Sequence, residues 1–351
     1  MGYRLCNMQG VMDQPEAEGT VKPAFQWRCR ASNDGLVEAS QAVPRLLSMT
    51  MVARSKASGP PYLAKWSPQE GWLTSRRSDD DFASRAKRIN EVCRKYQVTL
   101  VDRNFSYERP DLCHITRCRI IIDPARKVGY SFISKVASTT VKTIFGLLLN
   151  ISNTPNTVDS FHRTFHEQVR TVSPMTFLQR SNEERYTTAM FVRHPFERLV
   201  SAYVDKALGP RAVMVYFYER YWNDVPGVRA TDRNLTFPEF VDYILNQRVN
   251  EMDPHWAPYY VTCQPCVVKY EVVGKLETAN RDFALFFEAL GVRPEDIPHK
   301  NNGGDHWFRK SAREFFKELT LHHVMRLYER FFFDFEMFGY DFRDYLHSEC
   351  T

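Results

Sequence analysis

Two hydrophobic patterns alternate along the chain: short continuous apolar runs and helical stripes. Residues 189–192 (Ala-Met-Phe-Val) form a continuous run of strand length, the pattern of a strand buried on both faces. Pro195 follows, where proline favours a first helical turn because its missing N–H would go unpaired there. Phe196, Leu199, Val200 and Tyr203 then recur at i, i+3, i+4 and i+7 on one face, with Arg198 and Ser201 on the other. The same order occurs upstream, where a strand-like run at 128–133 leads through a short loop into a helical stretch at about 140–149. Repeated strand–loop–helix units need crossovers. The pattern therefore predicts an α/β fold with a central, mainly parallel sheet flanked by helices.

Around this frame, Phe82, Ala86, Ile89 and Cys93 recur at helical spacing behind an acidic start, which predicts a helix leading into the fold. Residues 120–123 read as a strand, followed by a turn at 124–126. Residues 99–101 read as a short edge strand, 158–172 as helical, and 267–270 as a further strand before a helix from about Glu277. Thr236 caps a helix with Pro238 near its start. A loop is expected at 293–307, and helix beyond it. Residues 1–81 lack sustained periodicity and mix Gly, Pro, Ser, Gln and charge. They read as a largely disordered arm or stem ahead of a catalytic domain at 82–351. No apolar run of about 18 residues and no signal-peptide core is present in the sequence.

Composition adds less. The 351 residues are 43% hydrophobic and 14% aromatic, enough for a sizeable core. A net charge of +5 fits an acidic partner without requiring one. The single C-x-x-C at Cys263 and Cys266 does not make a zinc ribbon without a second pair. Asn104, Asn150 and Asn234 stand in N-glycosylation sequons.

The candidate chemistry sits at the two strand–helix joints. Arg193 is left at the carboxyl end of its strand, where open α/β sheets bind ligands. Helix N–H groups and Ser201, two turns on, complete a set that suits a phosphate. An ordinary joint with a surface arginine explains Arg193 alone equally well. The other joint holds Lys135, Ser138, Thr139, Thr140 and Lys142 among small neighbours, although the G-x-x-x-x-G-K-[ST] loop is absent. Two such joints predict a ligand with phosphates at both ends.

Together these motifs resemble the nucleotide-binding motifs of sulfotransferases that use 3′-phosphoadenosine 5′-phosphosulfate (PAPS). Residues 135–142 are similar to the family's 5′-phosphosulfate loop, and 193–203 to its 3′-phosphate motif, with arginine first and serine eight residues on. Asp253-Pro-His255-Trp256-Ala-Pro258, Cys263-Gln-Pro-Cys266 and Tyr270-Glu-Val-Val-Gly274-Lys275-Leu-Glu277-Thr resemble the H-W-x-P, C-x-x-C and Y-[DE]-x-x-G-K-x-E-T run of the Golgi carbohydrate sulfotransferases. That branch includes the chondroitin 4-O, dermatan 4-O and HNK-1 enzymes. Residues 327–340 resemble its closing segment. The loop departs from the usual K-V-[AG]-C-T-N-W-K: Ser138, Thr140 and Val141 stand for Cys, Asn and Trp, and Ser134 precedes the lysine where Pro is usual.

The resemblance implies a P-loop-like sulfotransferase fold, PAPS as co-substrate, no metal and no nucleic-acid partner. It implies an acidic or neutral glycan acceptor such as a glycosaminoglycan chain, some disulfide-bonded cysteines, and residence in the Golgi lumen or membrane. Its members look like type II membrane proteins, so contact with the membrane is expected only through an anchor not visible in this sequence. Lys135, Ser138, Thr139, Thr140 and Lys142 would hold the phosphosulfate, Arg193 and Ser201 the 3′-phosphate, and Tyr270 would pack on the adenine. Sulfuryl transfer, like phosphoryl transfer, is largely a matter of positioning and electrostatics, and a base must take the proton of the sugar hydroxyl. His162, His166 and His255 are the candidates, with His162 favoured by the family's spacing. His162 and His166, one turn apart, also suit a shared cation, but the zincin motif needs Glu where Arg163 stands. A phosphotransferase lacks its Walker glycines here, and a catalytically silent glycan- or nucleotide-binding homologue is the alternative that the altered loop allows.

Overall fold

The computed structural model describes residues 28–30, 36–38, 80–98, 119–149, 151, 164–165, 167–181, 184–209, 214–231, 233–292 and 310–346. The chain divides into two units, 1–67 and 68–351. In the first, β1 (Arg28–Arg30) pairs antiparallel with β2 (Leu36–Glu38). In the second, α1 (Phe82–Lys95) precedes β3 (Arg119–Asp123) and β4 (Val128–Phe132). Then come α2 (Ser138–Leu148), β5 (Thr171–Val172), α3 (Pro174–Ser181), β6 (Thr187–Val192) and α4 (Pro195–Lys206). After them follow α5 (Phe237–Asn246), β7 (Val272–Lys275), α6 (Ala279–Ala289) and α7 (Leu321–Phe338).

The sheet order is β5-β3-β4-β6-β7. β4, β6 and β7 are parallel, as the strand–loop–helix pattern requires, while β3 pairs antiparallel with both β4 and β5. The sheet is therefore mixed. The turn at 124–127 is too short for a crossover and can only make a hairpin. β6 lies at the centre of the parallel part, and its residues 189–192 are fully buried. Phe191 stacks on Phe283 of α6 with ring centroids 4.5 Å apart. It has room because its partner across the ladder is Gly274, where a Cβ would come within 2.1 Å of the ring. A second apolar cluster joins the buried face of α4 (Phe196, Leu199, Tyr203) to Trp222, Phe240 and Trp256.

Helix α1 is fastened at both ends. Asp81 accepts from the Ser84 N–H and caps it. The buried Arg85 donates to Asp80, Asp282 and the Val273 carbonyl. Near its other end Cys93 is disulfide-bonded to Cys266, with Cα atoms 5.5 Å apart. Cys263, buried, is not part of that bond.

The expected strand at 267–270 is not formed. Pro265–Val268 is a helical turn between left-handed Gln264 (φ 47°) and Lys269 (φ 55°), and the strand begins at Val272. Pro265 has no N–H for a ladder and suits a first helical turn. Thr171 and Val172, expected to end a helix, form β5 because they pair with Ile121 and Ile120. Helix α3 was not foreseen. Residues 99–101, 158–163 and 293–307 lie outside the described residues. Among the described residues, no helix is long and apolar enough to cross a membrane.

Candidate functional site

β4 and β6 are parallel neighbours, so the loops at their carboxyl ends emerge side by side. The loop after β4 turns sharply: Lys135 (φ 68°) and Ala137 (φ 46°) both hold left-handed backbone, which non-glycine residues rarely adopt. Such turns direct successive backbone N–H groups toward one point and suit an anion. Helix α2 starts immediately after, with half-buried Ser138 and Thr139 and buried Thr140 in its first turn.

Helix α4 runs along this edge and carries a stripe of polar residues four apart: Glu197, Ser201 and Asp205, in line with Arg193. Arg193 Nη2 lies 3.1 Å from Glu197 Oε2. Asp205 Oδ2 lies 2.8 Å from Lys135 Nζ and 3.1 Å from Lys206 Nζ. Half-buried Ser201 sits between the two carboxylates. Burial pushes the Asp205 carboxyl up, but the ammoniums of Lys135 and Lys206 outweigh it and hold the pKa at about 2. The Lys135 ammonium is lowered by burial, with Asp205 opposing.

The Arg193 turn is braced through its backbone. The Tyr259 hydroxyl accepts from the Arg193 N–H at 3.1 Å and donates to its carbonyl at 3.0 Å. Glu277 accepts from the His194 N–H at 2.6 Å and from the Tyr340 hydroxyl at 2.8 Å. His194 Nδ1 accepts from the Phe196 N–H, so Nε2 carries the proton and donates to the Asp341 carbonyl at 2.9 Å. His194 is therefore the cap of α4, and burial lowers its basicity.

Arg198, expected on the polar face, is 2% exposed. Its guanidinium donates to the carbonyls of Ser134 (3.2 Å), Pro254 (2.6 Å) and Ala257 (2.7 Å) and covers the Tyr259 ring. It thus ties the lysine loop, helix α4 and the turn around His255 together. No periodicity reveals this, because the carbonyls of Pro254 and Ala257 arrive from 56 and 59 residues further along the chain.

That turn places His255 at the same corner. Asp253, fully buried, accepts from the His255 N–H at 2.9 Å and from His255 Nδ1 at 2.6 Å, both on Oδ1, and from the Tyr221 hydroxyl on Oδ2 at 2.9 Å. A carboxylate at Nδ1 fixes the proton there and leaves the Nε2 lone pair available. Nε2 has no hydrogen-bond partner among the described residues. Burial lowers the His255 pKa, Asp253 opposes, and the charges of Lys206 and Lys135 reinforce the lowering. The Phe217 ring packs edge-on against the imidazole at 5.6 Å and lies under the Lys206 ammonium at 4.9 Å. The turn had a readable sign: Asp-Pro-His is a composition in which an aspartate side chain folds back on the backbone two residues later.

Two expected contacts are placed elsewhere. Tyr270 is 3% exposed, and its hydroxyl donates to the Cys263 carbonyl at 2.9 Å while Ser131 Oγ lies 2.5 Å away. Its ring belongs to the core, not to a surface open to an adenine, because the strand it was expected to end starts two residues beyond it. Lys142 is buried with its ammonium 4.4 Å from the Phe132 ring centroid and 5.7 Å from that of Phe165. Burial brings its pKa to about 7. His162 and His166 lie outside the described residues.

Comparison with known proteins identifies the family. The model of the "Sulfotransferase family" matches residues 118–341. Human carbohydrate sulfotransferase 8 is 29% identical over 289 residues, covering 77% of this chain and 64% of the relative. Mouse carbohydrate sulfotransferase 11 is 28% identical over 252 residues (65% and 68%), and mouse carbohydrate sulfotransferase 10 is 26% identical over 302 residues (80% and 82%). The chain thus spans less than two thirds of the length of carbohydrate sulfotransferase 8. No solved structure matches it significantly.

Proposed function

Because the chain belongs to the sulfotransferase family, we propose that it transfers a sulfuryl group from PAPS to a glycan hydroxyl. The acceptor we favour is the 4-hydroxyl of N-acetylgalactosamine in chondroitin or dermatan, with an HNK-1-type terminal sugar as second choice. The observation that carries the reading is the shared corner at which Lys135 and the Asp253-held His255 stand, at the carboxyl edge of parallel strands.

In this reading Arg193 and Ser201 grip the 3′-phosphate, and Lys135 with Ser138, Thr139 and Thr140 grips the 5′-phosphosulfate. His255 Nε2 takes the proton of the sugar hydroxyl as its oxygen bonds to sulfur. The bond from sulfur to the bridging phosphate oxygen breaks, and Lys135, leaving Asp205, stabilises the charge on that departing oxygen. His255 thereby takes the role for which His162 and His166 were also candidates. The Golgi lumen is the proposed compartment; the Cys93–Cys266 disulfide supports it, since such bonds persist where the surroundings are oxidising.

The test is transfer of labelled sulfate from PAPS to a panel of defined acceptors, including desulfated chondroitin and dermatan, with ATP as competitor. Transfer to the galactosaminoglycans, unaffected by ATP, is expected. Absence of transfer to any acceptor, together with no calorimetric binding of 3′-phosphoadenosine 5′-phosphate, would overturn the reading.

A further inference from the structure

One exposed cation beside this corner has no role in the mechanism above. The segment Tyr218–Trp222 is a π-helical turn, a rare geometry often found at functional sites. It presents Arg220 to solvent on the surface that also exposes Val215 and Tyr216. Arg220 makes no ion pair among the described residues. Its guanidinium lies 5.9 Å from the Tyr216 ring centroid and 5.5 Å from that of Tyr221. Its Nε–H donates to the Tyr221 hydroxyl at 3.0 Å, and that hydroxyl donates to Asp253 at 2.9 Å, the carboxylate that holds His255. An exposed arginine is thus joined to the candidate base through one tyrosine and one aspartate. The aromatic run Tyr216, Phe217, His255 follows the same path, with neighbouring rings 5.3 Å and 5.6 Å apart.

We propose that Arg220 is an acceptor-recognition residue that binds the carboxylate of a uronic acid neighbouring the reacting sugar, while Tyr216 and Phe217 pack against the glycan. The inference rests on the sulfotransferase reading and deepens it. With Nε engaged by Tyr221, the two terminal nitrogens of the guanidinium remain as a parallel pair of donors, the geometry that carboxylates take bidentately. The relay gives this contact a second consequence. Donation from Arg220 makes the Tyr221 hydroxyl a stronger donor to Asp253, which draws charge away from the partner of His255. A bound carboxylate offsets that pull and makes His255 a better base when an acidic acceptor is in place. The charged groups facing His255 are Asp253 on one side and Lys206 and Lys135, bridged by Asp205, on the other; of its relay partners only Arg220 is exposed.

The experiment compares wild type, Arg220→Gln and Arg220→Lys on two acceptors that differ in one group: a desulfated chondroitin oligosaccharide and the same oligosaccharide with its uronate carboxyls reduced to alcohols. Wild type should prefer the acidic form. In Arg220→Gln the ratio of kcat/KM between the two acceptors should fall about tenfold, the scale of one charge-assisted hydrogen bond, and Arg220→Lys should restore part of it. The acid limb of the pH profile should move to higher pH in Arg220→Gln, because a cation acting on His255 through the relay is gone. An oligosaccharide bearing a sulfate ester in place of the carboxylate separates recognition of charge alone from recognition of the planar carboxylate. Equal losses on both acceptors, or none on either, would overturn the proposal, with donor affinity serving as the control for folding. If His255→Ala keeps its turnover, the base assignment fails while the acceptor ratio still decides Arg220. If no acceptor is sulfated, calorimetry of the two oligosaccharides in the presence of 3′-phosphoadenosine 5′-phosphate applies the same test, and equal binding of both by wild type sinks the idea.

Discussion

The two ends of helix α4 are built on different principles. At the Arg193 end the main chain is held by side chains from distant segments, with Tyr259 on its N–H and carbonyl and Glu277 on the next N–H. Even Glu197, which meets the arginine side chain, accepts from the Tyr345 hydroxyl at 2.9 Å. At the Lys135 end the loop takes left-handed turns, and the ammonium is held by a carboxylate that it shares with Lys206. Backbone braces fix a position, whereas ion pairs exchange. In the proposed reading the difference separates binding from chemistry: a phosphate that only anchors wants a rigid cradle, and a phosphate on which charge develops wants a cation free to follow it.

Variants that act on one end only would sharpen or break this contrast. The largest effect is expected from His255→Ala, about a hundred- to ten-thousand-fold in turnover with donor affinity nearly intact; near wild-type turnover would return the role of base to His162, His166 or a carboxylate. Lys135→Ala should lower turnover by about a hundred- to a thousand-fold, seen in single-turnover rates at saturating donor. Arg193→Ala should instead weaken binding of 3′-phosphoadenosine 5′-phosphate by about ten- to a hundred-fold, as for one hydrogen-bonded charge, with turnover at saturating donor largely kept. Calorimetric affinity equal to wild type would remove Arg193 from the site, and equal turnover losses at both ends would erase the distinction between them.

The smallest effect concerns stability. Lys142 titrates near 7 in the folded protein and at about 10.4 unfolded. Between those values the unfolded chain binds more protons, so stability should rise with pH across that window. Lys142→Met should flatten the rise in urea midpoints measured from pH 7 to 9. An unchanged slope would mean that the ammonium is not the group responsible.

Much of the frame was legible because local rules and tertiary structure agree. The run at 189–192 is buried on both faces, Pro195 begins its helix, and parallel pairing of β4 with β6 brings Lys135 and Arg193 to one edge. The parts that were not legible depend on which distant segment covers a position. On a helical wheel Arg198 faces away from Phe196 and Leu199, yet it is buried by the turn at 254–257. Tyr270 ends no strand, because Pro265 and two left-handed residues make a helical turn before it. Spacing favoured His162, which lies outside the described residues, and spacing could not show that Asp253 orients the His255 imidazole.

The disulfide also sets a timetable. Cys93 and Cys266 are separated by 173 residues, which at about 5–20 residues per second takes roughly 9–35 s to synthesise. During that interval Cys113 and Cys118 are already made, and Cys263 arrives just ahead of the native partner. The cysteine on the first helix of this unit thus waits for its partner until strands β3 to β6 have been made. In the oxidising compartment proposed above, such a chain would offer wrong partners first, and its yield should then depend on an isomerase that undoes early pairings.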